Sequence, residues 1–162
     1  MELMSDAEKA LREVLTRELA VVEDLLTLAY QLTEALKIDD VERVAELTQK
    51  QQLLAARLEA VEGQRLKELA AFVRERRLEA EPTLGELLQD TELTEEFRDV
   101  AQSLWDKFQL LQEQHELNGM LLNQSLQYTR KMLGIFNQGA TYQPDGTVEQ
   151  LQVSSALVDK SV

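Results

Sequence analysis

Thirty Asp and Glu residues, one histidine and no cysteine bound the chemistry open to this chain. A carboxylate-rich helical protein can cage a di-iron centre, but that needs Glu-x-x-His pairs projecting inward from two helices. At that spacing His115 is preceded by Gln112, so even one copy of the pair is missing. Nucleophilic catalysis fares no better, because there is no thiol, no second histidine, no nucleophile elbow and no glycine-rich phosphate loop. The residues point to a protein that is not an enzyme and holds neither a metal nor a cofactor.

The polar residues that stand out are of another kind. His115 and Asn118 fall inside an apolar helical seam, where buried polar side chains fix register by demanding a partner. Gly119 beside them removes a side chain and lets another group approach closely. The elements that position them follow from periodicity and caps. Ser5 with Glu8 has the form of a capping box, and apolar residues from Leu11 to Leu36 recur at three- and four-residue steps, predicting a helix over about 6–37. Asp39 or Asp40 caps a second helix over about 40–78, and so short a link makes the two antiparallel neighbours. Gly63 inside that helix costs about 1 kcal/mol relative to alanine, which marks either close packing or nothing at all. Pro82 ends the run, since proline cannot continue a helix interior. Thr83 with Glu86 then starts a short helix over 84–89.

The last helix, about 95–137, has the most regular pattern. Its seam reads Phe97, Ala101, Leu104, Phe108, Leu111, His115, Asn118, Leu122, Ser125, Thr129, Met132 and Phe136, alternating steps of four and three. At about 100° per residue, Leu110, Leu117, Leu121, Tyr128 and Ile135 form a second stripe that one long partner helix cannot cover together with the first. That stripe packs on a neighbouring helix of the same chain or receives a client helix. The fold class is therefore all-α: a long antiparallel bundle or coiled coil of three long helices with a short connecting helix. Residues 1–138 form the helical domain, and residues 139–162 a flexible tail in which Val148, Leu151 and Val153 become helical only when packed.

Charge is uneven along the chain. Residues 1–100 carry 24 acidic and 13 basic residues, a balance of −11, whereas residues 101–140 carry three of each. The total of −13 excludes a nucleic-acid binder, which needs a basic surface. The cluster Arg74, Arg76 and Arg77 suits a helix C-terminus, which favours cations. No stretch reaches the roughly 18 apolar residues of a membrane span, and the acidic N-terminus lacks the form of a signal peptide. A cytosolic location without membrane insertion is expected.

The run His115-Glu116-Leu117-Asn118-Gly119-Met120-Leu121-Leu122, continuing to Tyr142-Gln143-Pro144-Asp145-Gly146, resembles the flagellar export chaperone family FlgN. That family typically has Asn-x-x-Asn-Gly and a hydrophobic pair on its last long helix, then Tyr-x-x-x-Gly beyond the helix end. This chain departs in having His115 at the first Asn position, and Gln143-Pro144 where small residues are common. The resemblance implies a cytosolic, ATP-independent chaperone of flagellar type III secretion. Such a chaperone binds the C-terminal helical regions of the hook-filament junction proteins FlgK and FlgL and delivers them to the export gate. By the same resemblance, the region after Asn118 holds the client and Tyr142 contacts the gate protein FlhA; that role coincides with the stripe Leu110, Leu117, Leu121, Tyr128 and Ile135 read from periodicity, with Asn118 and Gly119 beside it. His115 and Asn118 make the polar core layer. The competing reading is a generic coiled-coil scaffold, with the same stripe pairing two copies as a homodimer.

Overall fold

The computed structural model describes residues 3–138, together with the backbone of 141–142 and 148–149. Four helices follow in chain order: α1 (Asp6–Lys37), α2 (Val41–Arg76), α3 (Leu84–Gln89) and α4 (Glu95–Gln138). Each begins at a side-chain oxygen that satisfies an orphan amide of the first turn. Ser5 Oγ accepts from Glu8 N, Asp40 from Arg43 N, Thr83 Oγ1 from Glu86 N and Thr94 Oγ1 from Phe97 N.

The ends of α1 and α2 share one device. Asp40 N donates to Ala35 O and Asp39 N to Leu36 O, while Leu78 N donates to Val73 O and Arg77 N to Arg74 O. This is the Schellman arrangement, which needs a left-handed residue just past the helix. Asp39 (φ 53°) and Arg77 (φ 52°) fill that place. Between the first two helices the chain therefore reverses within Ile38 to Asp40, and Asp40 also caps α2.

Cross-links give the helix directions. Glu18 meets Arg65 and Glu8 meets Arg76, so α2 runs antiparallel to α1. Thr94 bonds Glu8 while Asn118 bonds Ala29, so α4 runs parallel to α1, the connector having carried the chain back to the starting end. The core gathers there: Leu11, Leu15 and Val22 of α1, Leu69 and Phe72 of α2, Leu87 and Leu93 of the connector, and Phe97, Ala101 and Leu104 of α4. A Cβ placed on Gly63 would meet nothing within 4 Å, so close packing does not account for that glycine.

The chain divides into two compact units, Met1–Leu121 and Leu122–Val162. In the second, β1 (Thr141–Tyr142) pairs antiparallel with β2 (Val148–Glu149), Thr141 opposite Glu149 and Tyr142 opposite Val148. Helix around Val148 is expected only with a partner packed on it, and without one Val148 stands in a strand. Thr, Tyr and Val are strand formers, and Pro144-Asp145-Gly146 between them is turn-forming sequence. Leu151 and Val153 lie outside the described residues.

Candidate partner-binding surface

The C-terminal half of α4 is where the apolar seam stops being buried. Phe97, Ala101 and Leu104 are fully inside, Phe108 and Leu111 half-buried, and after Asn118 the seam residues Leu122 and Phe136 are exposed. Asn118 itself is buried, and its amide is turned onto α1: Nδ2 donates to Ala29 O at 2.9 Å, and Oδ1 accepts from Thr33 Oγ1 at 2.5 Å. Gln114 Nε2 donates to the same Thr33 oxygen. A threonine hydroxyl has one proton and two lone pairs. If that proton goes to Asn118, the Ala29 carbonyl, 3.0 Å from Thr33 Oγ1, is satisfied by the Asn118 amide instead.

His115 is not part of this layer. It is exposed, because α4 meets α1 here along the side carrying Gln114 and Asn118, and His115 sits about 100° around the helix from Gln114. The burial of Asn118 likewise corrects its expected role as a client contact, since its hydrogen-bonding groups are already used within the bundle. Sequence reasoning missed Gln114 and Thr33. Thr33 falls at helical spacing from Leu26, Ala29 and Leu36 on the buried face of α1, and Gln114 beside the α4 seam, but nothing pairs the two until the helices are placed side by side.

The second stripe is left largely in water. Leu110 and Leu117 are 39% and 41% exposed, Tyr128 and Ile135 64% and 63%, with Leu121 half-buried. Met120, Leu126 and Leu133 are exposed as well, so apolar surface extends beyond the stripe. Gly119 has nothing within 4 Å of where a Cβ would stand, which leaves an open place on the helix beside Asn118. Tyr142 lies on β1, and its side chain is outside the described residues.

A separate feature escaped the sequence. Near the core end, a cleft of about 480 Å³ is lined by Leu66 and Leu69 of α2, Pro82 and Leu84 of the connector, and Trp105 and Phe108 of α4, with Leu11 and Leu15 of α1 behind. Trp105 is 40% and Leu66 52% exposed. The one available signal was a tryptophan directly beside Leu104 but off the seam. Arg65 on the cleft wall donates to the fully buried Glu18 at 2.8 Å. Burial pushes the Glu18 carboxyl above its usual range; the Arg65 charge opposes that rise and nearby Glu62 adds to it.

Among the described residues no group of acidic or histidine side chains is arranged to hold a metal ion, and no helix is long and apolar enough to cross a membrane. No curated protein and no solved structure matches the chain. The family model described as FlgN protein matches residues 1–150, taking in the bundle, the exposed half of α4 and the strand pair. That family is one of chaperones rather than enzymes. With so much of its length matched, the chain belongs to the FlgN family of flagellar export chaperones.

Proposed function

We propose that this chaperone holds the C-terminal helical regions of the hook-filament junction proteins, of the FlgK and FlgL type, on the apolar surface of α4 between Leu110 and Ile135. One observation carries the reading: large apolar side chains stay exposed along a long helix whose segment 101–138 is charge-balanced, in a chain of net charge −13. Apolar surface on this scale marks an interaction site, and a client helix offers anchors at three- and four-residue spacing to match it. Gly119 gives such a helix room to approach. The protein works in the cytosol, and Tyr142 presents the loaded chaperone to the export-gate protein FlhA, with residues 139–162 acting as a docking tail separate from the helical domain 1–138.

Leu117→Glu tests the client surface. Its side chain is 41% exposed, so the bundle keeps its helicity, while burying a leucine against a client is worth about 1.5–3 kcal/mol. Titration calorimetry with the C-terminal region of a FlgK-type protein is expected to show affinity lowered at least tenfold. Unchanged affinity places the client elsewhere. Tyr142→Ala in the same titration keeps full client affinity and loses binding of the loaded complex to FlhA.

A further inference from the structure

The cleft beside Trp105 meets α4 at Trp105, Phe108, Gln109 and Gln112, so it adjoins Leu110 at one end of the surface assigned to the client and takes in none of Leu117 to Ile135. Its volume is within the range of small-molecule sites, but such sites fix a ligand with a few free polar groups converging on it. Here most of those groups are already engaged, Gln109 and Glu81 excepted. Arg65 is bound to Glu18, Thr83 Oγ1 caps α3, and Gln112 donates to Glu116. What the cleft offers is apolar: Leu66, Leu69, Pro82, Leu84, Phe108 and the ring of Trp105, which lies 3.8 Å from the place of a Gly85 Cβ.

Its charge is equally one-sided. The Arg65 guanidinium is neutralised by a buried carboxylate at 2.8 Å, so it does not attract an anion. Glu81, the other charged residue on the wall, has no ion-pair partner among the described residues, and Glu62 and Glu86 stand close by in sequence to Arg65 and Thr83. An apolar slot with an uncompensated carboxylate at its rim and a partly exposed indole suits one kind of occupant: a bulky apolar side chain flanked by lysine or arginine. The cation would face Glu81 and the indole, which attracts cations to its face.

We propose that this cleft is a second docking site, taking a basic amphipathic helix of another protein by one or two apolar anchors, without using Leu117 to Ile135 of the client surface. Trp105 is the chain's only tryptophan, so the site carries its own reporter. The probe is a synthetic amphipathic helix with leucine at helical spacing and lysine on its flanks, compared with the same peptide carrying glutamate for lysine, in about 0.15 M salt to screen distant charges.

The lysine peptide is expected to shift Trp105 emission to the blue and to bind at least tenfold tighter than the glutamate peptide. Leu66→Glu separates the cleft from general attraction: it adds negative charge, so attraction to the acidic surface alone predicts tighter binding, whereas the cleft predicts at least a tenfold loss. Leu117→Glu leaves lysine-peptide binding intact, which distinguishes this site from the client surface. Equal affinity for both peptides, or lysine-peptide binding that survives Leu66→Glu, overturns the proposal. So does a blue shift that appears without peptide as concentration rises and tracks a doubling of mass, since the occupant is then a second copy of this chain.

Discussion

At the scale of single residues, the contact between Asn118 and Thr33 is the most exacting in the bundle. Both side chains are buried, and each supplies what the other lacks. Asn118→Ala removes its bonds to both the Thr33 hydroxyl and the Ala29 carbonyl and leaves those two groups, 3.0 Å apart, to pair with each other, at a cost of about 1–3 kcal/mol for the two lost bonds. Replacing both partners with apolar residues of similar shape removes the unmet demand along with the bond, so Thr33→Val with Asn118→Leu loses less than the sum of the singles. Urea denaturation of the four proteins in a double-mutant cycle measures the coupling; strict additivity means the two side chains do not act together. The period of α4 is enough to place Asn118 on a seam, but it places His115 there too. Only the position of α1 decides between them, and no single-helix pattern contains that position. The cleft was hidden for the same reason, since its wall is drawn from four separate segments.

Among the elements, the beginnings of helices were easier to read than their ends. Ser5 and Thr83 are each followed three residues later by glutamate, a local signal that needs no tertiary context, and they cap α1 and α3. The two left-handed stops carry Asp39 and Arg77 where glycine is the usual choice, so nothing in their residue types announces them. For α2 this has a measurable effect. A left-handed conformation costs a non-glycine residue about 1–2 kcal/mol, whereas glycine adds about 0.5–1 kcal/mol of unfolded-state entropy. Relief of strain is the larger quantity, and Arg77 is exposed with little packing to lose. Arg77→Gly is therefore expected to stabilise the protein by about 0.5–1 kcal/mol, read as a higher urea midpoint with an unchanged slope; Arg77→Ala gives no such gain. The short β1–β2 pair was not legible, because two residues are too few to show an alternation.

For the whole molecule, the balance of charges sets how it responds to salt. Arg76 joins the buried Glu8 and the more exposed Asp90 and Glu92 and lies 5.0 Å from the centre of the Phe72 ring; its pairs at the surface contribute only about 0–1 kcal/mol each, and the buried one is little screened by salt. Self-repulsion from a net −13 opposes the folded state throughout. Screening removes both, and the repulsion is the larger. Raising sodium chloride from about 0.05 to 0.5 M, which shortens the screening length several-fold, is expected to raise the urea midpoint. A fall instead means that the Arg76 cluster outweighs the net charge. Fold class was plain from the sequence because long helices with few prolines leave little choice, while the direction of α4 depends on where a short connector delivers the chain.

That delivery leaves its mark on how the protein is made. Glu8 Oε1 accepts from both the amide and the hydroxyl of Thr94, so the first turn of α1 is joined to the residue that caps α4. A chain leaving the ribosome N-terminus first can pair α1 with α2 early, since only Ile38 to Asp40 separates them. The apolar sides of Leu11, Leu15 and Phe72 then wait for Phe97, Ala101 and Leu104. Through that interval the growing hairpin is itself open to stray association, and Thr94 on Glu8 starts the docking that Phe97, Ala101 and Leu104 bring to its close.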